Sequence, residues 1–275
     1  MAKLFEKNTA LVTKLYSSRC DSLYSIGKQG RGRKETRFIG GISLDEYLNI
    51  FIVDHGNTRI QIFTFEGYFI SNFGGDLLSS PYAIAVKSNV AIISDVRLKC
   101  VIKFDGNDCT KVIRSDMREV KMPMGVTIDG NYNIYVADAK RNSVVVLNQD
   151  LRFIIELGKH ELKCPRDVKI HGNNIIVCDN GVHKNVHIFN KDGELVRSIF
   201  KLKQGNSSLF MCIDKLGNIA VSDKVNREIS ISTFKGKLFQ QWFTSGRPAG
   251  IEITKDGLIV RANYDFGLIY IHKEN

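Results

Sequence analysis

Five aspartates recur at one phase of the sequence, each at the end of a short apolar run. They are Asp54, Asp95, Asp138, Asp179 and Asp223, and Asn263 takes the sixth place. Carboxylates that converge on one point can bind a cation or act as general acids and bases. An aspartate at a strand end can instead accept backbone N–H bonds and fix the following turn. Because the residue recurs in nearly every unit, we favour the architectural role.

The other side chains that carry chemistry show no catalytic spacing. The histidines stand at 55, 160, 171, 183, 187 and 272, and only His55 and His183 share a phase. The cysteines form no Cys-x-x-Cys pair, which is typical of buried thiols in a reducing compartment. The chain has neither a Gly-x-Ser-x-Gly elbow nor a Walker phosphate loop. We therefore predict no catalytic residue, no metal site and no cofactor.

The phased aspartates belong to an internal repeat of 40 to 44 residues. The apolar runs that lead to them begin at Ile50, Ala91, Ile134, Ile175, Ile219 and Leu258. An earlier apolar run begins at a proline in four units, at Pro81, Pro123, Pro165 and Pro248, and we align Ile39 and Ser208 with these prolines. A third run follows each acidic position, and a fourth usually follows a turn. Each unit therefore contains up to four short strands.

The composition of these runs favours β-structure. They are rich in Val, Ile and Phe, and Glu66-Gly67, Asp105-Gly106 and Asp192-Gly193 are typical of tight hairpin turns. No long stretch keeps a helical apolar period. Six four-stranded units that are arranged around an axis leave only short edges. We predict an all-β fold, a six-bladed β-propeller of four-stranded antiparallel blades.

The last unit ends after its third strand, at Ile271. The segment from Leu23 to Gly27 matches the fourth-strand endings of the other units. We predict that this N-terminal strand completes the last blade and closes the ring. Residues 21–275 then form a single propeller domain, and residues 1–20 form an N-terminal lead-in.

Charge and hydropathy limit the class of protein. The 39 Lys and Arg residues against 29 Asp and Glu residues give a net charge of +10. No apolar run approaches the roughly 18 residues of a membrane helix. Residues 1–13 lack the continuous apolar stretch of a secretory signal. We expect a cytoplasmic protein without a membrane segment, and its oligomeric state stays open.

The repeat resembles a known one. Asn49 to Phe63 reads Asn-Ile-Phe-Ile-Val-Asp-His-Gly-Asn-Thr-Arg-Ile-Gln-Ile-Phe, followed by Glu66-Gly67 and Phe73-Gly74. This is similar to an NHL repeat, and Pro123 to Leu147 follows the same pattern. The resemblance covers about Leu23 to His272.

Within the NHL propellers, Ser25 to Gly32 followed by Phe38 resembles the start of the C-terminal propeller of the tripartite-motif (TRIM-NHL) proteins. In that family the propeller binds RNA or protein partners and often represses messenger RNAs, and an N-terminal module has ubiquitin-ligase activity. This chain shows no RING or B-box spacing of Cys and His. The resemblance therefore implies a recognition propeller for post-transcriptional regulation, without ligase activity of its own.

The basic residues are segregated on the expected propeller. Loops between second and third strands share one face of the propeller with the connections between blades. About half of the Lys and Arg residues fall on this face. The turns on the opposite face contain Asp45, Glu46, Asp129, Asp214 and Asp256. A basic face attracts polyanions, and aromatic rings near the axis can stack on bases. The predicted RNA- or ligand-binding residues are Lys28, Arg31, Arg33, Arg37, Tyr82, Lys140, Arg141, Arg166, Lys224, Arg227, Arg247 and Tyr264.

Three functions remain open from the sequence. The first is a non-catalytic propeller that binds single-stranded RNA across its basic face. The second is a protein-interaction module whose basic face holds an acidic segment and recruits a partner or substrate to a ubiquitin-ligase or scaffold complex. The third is a metal-dependent lactonase or a lyase-like propeller, which requires metal ligands near the axis.

Overall fold

The computed structural model describes residues 22–106, 111–116, 118–181, 185–201 and 209–272. These residues contain 24 β-strands and one 3-10 turn, His55–Asn57. The strands form six four-stranded antiparallel sheets, as the sequence predicts. No helix in this part of the chain is long and apolar enough to span a membrane. The predicted lead-in, residues 1–20, lies outside the described residues.

The first three blades follow one another along the chain. Blade 1 contains β2 (Ile39–Leu44), β3 (Ile50–Asp54), β4 (Arg59–Phe63) and β5 (Phe69–Phe73). Blade 2 contains β6 (Pro81–Lys87), β7 (Val90–Asp95), β8 (Cys100–Asp105) and β9 (Lys111–Arg114). Blade 3 contains β10 (Pro123–Ile128), β11 (Ile134–Asp138), β12 (Ser143–Leu147) and β13 (Phe153–Leu157).

The last three blades include one that joins the two ends of the described chain. Blade 4 contains β14 (Pro165–His171), β15 (Asn174–Asp179), β16 (Asn185–Asn190) and β17 (Leu195–Lys201). Blade 5 contains β18 (Leu209–Ile213), β19 (Ile219–Asp223), β20 (Glu228–Ser232) and β21 (Leu238–Phe243). Blade 6 contains β22 (Pro248–Ile253), β23 (Ile259–Asn263), β24 (Leu268–His272) and the N-terminal β1 (Ser22–Ile26).

The first strands of the blades form a closed inner ring. β2, β6, β10, β14, β18 and β22 each contact the next in this order, and β22 contacts β2. Blade 2 therefore lies opposite blade 5 across the axis. The ring is completed at blade 6, where β1 pairs with β24 so that Ser22 faces His272 and Ile26 faces Ile269. The predicted N-terminal closure is confirmed.

Apolar side chains fill the spaces between neighbouring blades. The middle strands are buried on both faces, as in β11, β12 and β19. Val53 and Ile60 of blade 1 pack in one cluster with Ile84, Ile93 and Ile102 of blade 2. This burial explains why the middle strands are continuous runs of Val and Ile, whereas the fourth strands carry more exposed residues.

Glycines let the inner strands approach one another closely. A Cβ added to Gly250 of blade 6 would lie 2.4 Å from the backbone N of Ile42 in blade 1. A Cβ added to Gly41 would lie 2.9 Å from the Cα of Ala83 and 3.3 Å from the ring of Phe210. These positions bring backbone against backbone around the axis, which only a residue without a side chain permits.

In blades 1 to 4 the aspartate at the end of the second strand joins the blade to the preceding connection. Asp95 accepts hydrogen bonds from Ser79 N at 2.7 Å, Ser80 N at 3.0 Å and Leu98 N at 3.0 Å. In blade 3, Asp138 holds four backbone N–H groups in the same way. The architectural interpretation of these carboxylates is confirmed.

In blade 6 the carboxylate stands two residues later in the sequence, at Asp265 instead of position 263. Asn263 accepts from Asp265 N at 3.0 Å and from Phe266 N at 3.2 Å. Asp265 then accepts from Arg247 N at 2.9 Å and takes over the link to the preceding connection. The Asn that departs from the repeat is thus compensated locally.

The sequence alignment of blade 5 agrees with the register of its strands. Met211 pairs with Val221, two residues before Asp223, in the way that Ile84 pairs with Ile93, two residues before Asp95. Ile84 follows Pro81 by three residues, so the position equivalent to Pro81 is Ser208, which lies outside the described residues. Phe210 is therefore the equivalent of Ala83, one residue farther along the inner strand than Tyr82.

Candidate functional site

A cavity of about 180 Å³ opens where the axis meets the basic face. We call it the axial pocket. Its walls come from the first residues of inner strands and from the loops after second strands. The residues that line it are Ile39, Gly40, His55, Pro81, Tyr82, Phe210, Lys224, Ala249 and Tyr264. Three of the predicted binding residues, Tyr82, Lys224 and Tyr264, therefore meet at one cavity.

Two rings from opposite blades meet on the axis beside this pocket. Tyr82 of blade 2 stacks on Phe210 of blade 5, with ring centroids 4.9 Å apart and planes at 19°. Phe210 is buried, and Tyr82 is partly exposed. The stack obstructs the channel between the axial pocket and the opposite face, so Tyr82 has one of its ring faces occupied already.

Tyr264 stands at the centre of a cationic and aromatic cluster. Lys224 Nζ lies 3.1 Å from the centroid of its ring, and Arg247 Cζ lies 4.8 Å from it. Phe38 stacks on the same tyrosine at 5.1 Å and 23°. Arg37 in turn lies 5.1 Å from the Phe38 centroid. Cation–π contacts of this kind orient both the rings and the charges.

The two cations beside Tyr264 differ in whether a carboxylate is hydrogen-bonded to them. Arg247 is paired with Asp265, whose Oδ1 accepts from Arg247 Nε at 2.6 Å. This hydrogen bond lowers the pKa of Asp265 and raises that of Arg247. Burial, and then repulsion by Arg247, lower the pKa of Lys224 to about 8. Attraction by Asp265 opposes this fall in the pKa of Lys224 only in part.

Three predicted residues of the long loop before blade 1 lie away from the axial pocket. Lys28 is exposed and forms an ion pair with Glu35 at 3.6 Å. Arg31 is exposed. The guanidinium of Arg33 lies 5.4 Å from the ring of Phe69, which begins the outermost strand of blade 1. This loop thus places Arg33 beside the outermost strand of blade 1, at the rim of the propeller.

The other predicted cations have varied surroundings. Arg141 is half-buried and pairs with Asp138 and Glu156 at 3.9 and 3.7 Å, so it supports the blade. Lys140 beside it is exposed.

Of the remaining two arginines, Arg166 contacts another side chain near the axis and Arg227 is exposed. Arg166 donates to Met124 Sδ at 3.9 Å, near the axis. Arg227 is exposed and has a positive φ of 52°, a left-handed conformation. The basic face is therefore a ring of separate cations around one aromatic cluster.

Sequence reasoning missed two aromatic members of this site. Phe38 entered only as part of the resemblance, and Phe210 stands one residue farther along its inner strand than the residues that follow the phased prolines. His55 also lines the pocket, where its Nδ1 lies 2.8 Å from the carbonyl oxygen of Pro81. The signal in the sequence is that Phe210 is a large ring at a position where the other blades have Gly41, Ala83, Gly125, Asp167 and Gly250.

A larger cavity of about 750 Å³ opens on the opposite face. We call it the opposite vestibule. Its enclosed lysine is neutralised within the protein, since Lys169 Nζ lies 2.7 Å from Glu252 Oε1. The lining also includes the carboxylates of Asp45, Glu46, Asp129 and Asp256. Because these carboxylates repel anions, the smaller axial pocket is the better candidate for an anion site.

Within the described ranges no group of three or more His, Cys, Asp or Glu side chains is placed to hold a metal ion. The described cysteines, Cys100, Cys164, Cys178 and Cys212, are free thiols. Burial raises the pKa of Cys100 to about 11, with a smaller contribution from Asp95, so this thiol stays protonated at neutral pH.

The comparisons with known proteins identify the fold. No protein-family model matches the chain. No curated protein matches its sequence either. Solved structures do match, and a streptogramin B lyase is 13% identical with a TM-score of 0.71, over 92% of this chain and 98% of the lyase.

Two propellers of other kinds are similar as well. The nidogen/laminin complex includes a chain that is 17% identical with a TM-score of 0.68, over 82% of this chain and 88% of that one. The WD40 propeller domain of Doa1 is 13% identical with a TM-score of 0.63, over 86% of this chain and 79% of that domain. At these identities the likeness concerns the propeller fold alone.

Proposed function

We propose that this chain is a non-catalytic recognition propeller, related to the NHL propellers of TRIM-NHL proteins, that binds single-stranded RNA through its basic face. The observation that carries the proposal is the cluster around Tyr264, in which an aromatic ring, two cations and the axial pocket lie together. Single-stranded RNA is recognised by stacking of bases on aromatic rings and by cations that neutralise phosphates. The resemblance of the repeat supports the same function.

The cations of the basic face are suited to different parts of the RNA according to their position. Lys28, Arg31 and Arg33 at the rim are suited to phosphate contacts, because they are exposed to solvent. Arg247 and Tyr264 at the axis are suited to contacts with bases, because their geometry is held by the Asp265 carboxylate and by stacking on Phe38. We assign Arg141 to the support of the blade, since its guanidinium faces Asp138 and Glu156.

The test is a measurement of RNA affinity with matched charge variants. Replacing Arg31, Arg33 and Arg37 by Glu removes three cations from the basic face. The control replaces Lys215, Lys237 and Lys255 by Glu, because these exposed lysines lie in turns of the opposite face and the change in net charge is the same. Both variants are checked for folding by thermal denaturation.

We expect the basic-face variant to lose RNA affinity and the control to retain it. Each lost phosphate contact lowers the slope of log K against log salt by about 0.7, so three contacts change it by about 2. Crosslinking and sequencing of the bound RNA then shows whether a short motif is enriched. Equal affinity in the two variants would remove the basic face as the site.

The second candidate is a protein-interaction module that recruits a partner or substrate, including one for a ubiquitin-ligase complex. The nidogen propeller was solved in a complex with laminin, which shows the fold in protein recognition. The observation that favours this candidate is the number of cations already paired with carboxylates, as in Lys28 with Glu35. Binding that short RNAs compete for by charge alone, without sequence preference, would favour an acidic protein segment.

A lyase or lactonase function is the third candidate, and the streptogramin B lyase gives it a precedent on this fold. Elemental analysis of the purified chain tests it, since a stoichiometric metal would favour it over recognition. A cytoplasmic location is part of our proposal, because free thiols such as Cys100 and Cys178 are usual there. Fractionation of cells that express the protein tests this location.

A further inference from the structure

The axial pocket contains a cation without an anion. Lys224 lines the cavity, and within the described part of the chain no carboxylate lies within ion-pair distance, 4.0 Å, of its Nζ. The carboxylate that attracts it, Asp265, is already bound to Arg247. The charged and titratable groups around it are Arg37, His55, Asp223, Arg227, Arg247, Tyr264 and Asp265.

Lys169, farther along the axis, has the carboxylate partner that Lys224 lacks among the described residues. Lys169 is also enclosed, but Glu252 lies 2.7 Å from its Nζ. Burial alone would lower the pKa of Lys169, and the attraction of Glu252 and Asp167 outweighs burial and raises it. At Lys224 no such attraction prevails, and the pKa falls to about 8. The two lysines differ in the presence of a bound carboxylate.

The walls of the pocket are flat. Tyr82 is held by its stack on Phe210, and Tyr264 is held by its stack on Phe38. Rings held in this way bind a planar molecule by stacking, without loss of their own side-chain freedom. His55 Nδ1 lies 2.8 Å from the carbonyl oxygen of Pro81, so the neutral ring carries its proton there and offers Nε2 as an acceptor.

The volume limits the size of the occupant. The cavity of about 180 Å³ equals the share of about six water molecules in the liquid, at roughly 30 Å³ each. It is smaller than the roughly 300–1,000 Å³ of pockets for drug-sized ligands. One aromatic ring with one acid group fits, whereas a dinucleotide or a large cofactor does not.

We propose that the axial pocket binds a small planar anion, an aromatic carboxylate of single-ring size. Its acid group pairs with Lys224, and its ring lies against Tyr82 and the edge of Tyr264, whose faces are covered by Lys224 and Phe38. The site shares Lys224 and Tyr264 with the proposed RNA-binding surface, but it requires none of the cations of the rim and goes beyond the proposed function.

The test is titration calorimetry of the whole chain with benzoate at pH 7. Two related compounds separate the required features: benzamide keeps the flat ring and lacks the charge, and cyclohexanecarboxylate keeps the charge and lacks the flat ring. We expect saturable one-site binding of benzoate and binding at least about tenfold weaker for the other two. Equal binding of benzamide, or no saturation by benzoate below about 10 mM, would overturn the proposal.

Variants locate the site. Lys224→Gln should abolish benzoate binding, and Lys224→Arg should restore it, because the cation is what pairs with the acid group. Lys99→Gln removes an exposed cation from the same face and should bind as the unchanged protein does. Thermal denaturation confirms that each variant is folded. Benzoate binding by a folded Lys224→Gln variant within about twofold of the unchanged protein would exclude Lys224 as the partner.

Proton uptake gives a second readout that a purely structural lysine would not produce. A bound carboxylate favours protonated Lys224, so binding between about pH 8 and 9 takes up protons. The heat of binding should therefore vary with the ionisation enthalpy of the buffer, and Lys224→Arg should lose this dependence. A buffer-independent heat in the unchanged protein would contradict the proposed pairing.

Failure of this proposal can be told from failure of the RNA proposal. Benzoate binding in a chain that binds no RNA would leave the pocket assignment intact and remove the RNA function. RNA binding in a chain that binds no benzoate would overturn the pocket assignment alone.

Discussion

Asp138 shows at the scale of one residue how a carboxylate can join two loops. Its oxygens accept from Met122 N at 3.0 Å, from Lys140 N at 3.1 Å and from Arg141 N at 3.1 Å, and also from Lys121 N. The side chain is fully buried. Asp138 therefore stabilises the fold by accepting hydrogen bonds from backbone N–H groups that water does not reach.

Replacing Asp138 by Ala should lower the free energy of unfolding by about 3 kcal/mol or more, because several backbone donors lose their acceptor. Urea denaturation measures this change. Asp256→Ala is the matched control, since Asp256 is exposed in a turn of the opposite face and should cost at most about 0.5 kcal/mol. Similar losses in the two variants would mean that the hydrogen bonds of Asp138 contribute little.

Asp167 predicts a pH dependence. It is buried on the axis and accepts from Met211 N at 2.7 Å. Burial raises its pKa from 3.8 to about 7, against the opposing attraction of Lys169 and its backbone hydrogen bonds, and Glu252 adds to the rise. Between pH 3.8 and about 7 the carboxyl of Asp167 keeps its proton in the native state and has lost it in the unfolded state. Protonated Asp167 therefore favours the native state: its contribution to the free energy of unfolding is complete below about pH 3.8 and is lost as the pH rises through 7.

Asp167→Asn removes the titrating group. The free energy of unfolding, measured by urea denaturation at intervals from pH 4 to 7, should fall less with rising pH in the variant than in the unchanged protein. The difference between the two curves should change by on the order of 2 to 4 kcal/mol over this range. Parallel curves would show that Asp167 keeps an ordinary pKa.

The inner strands depend, at the scale of the element, on close contact between backbones. An added Cβ at Gly250 would lie 2.4 Å from Ile42 N and 2.7 Å from the carbonyl carbon of Gly41. Gly250→Ala should therefore force blades 6 and 1 apart and cost about 1–3 kcal/mol of stability. Gly130→Ala is the control because nothing lies within 4 Å of its added Cβ. Denaturation midpoints at equal m-value measure both, and a tolerated Gly250→Ala would refute the close packing.

The sequence predicted most of the elements because the repeat is carried by local patterns. Apolar runs, turn glycines and the phased aspartates lie within each blade, so they can be read without the fold. The site depends on contacts between blades, and these are not local: Tyr264 meets Phe38 across the seam of blades 6 and 1, and Tyr82 meets Phe210 across the axis. Arg141 was predicted to bind a ligand because Glu156, its partner on the fourth strand, is distant in sequence.

The whole molecule is a ring that a short strand completes. β1 covers the outer edge of β24, and Ile26 is 3% exposed in the core. A chain that lacks residues 1–26 should unfold at a lower temperature and associate, because the edge of β24 would be left without a partner. A chain that lacks only residues 1–20 is the control, as it keeps the whole of β1.

Thermal denaturation and light scattering compare these two truncated chains. We expect the control to remain as stable and as monodisperse as the full chain. A chain without residues 1–26 that keeps the same melting temperature and the same mass would show that the ring does not need its closing strand.

The closing strand also decides how the ring responds to mechanical load. Ser22 at the start of β1 lies opposite His272 at the end of β24, so the two strand ends are neighbours at one edge of blade 6. A pull that separates these ends acts across the ladder and opens its hydrogen bonds one after another, whereas a pull along the strands would load them together. Tension between the two ends should therefore peel β1 away at low force, and the propeller would yield first at this seam.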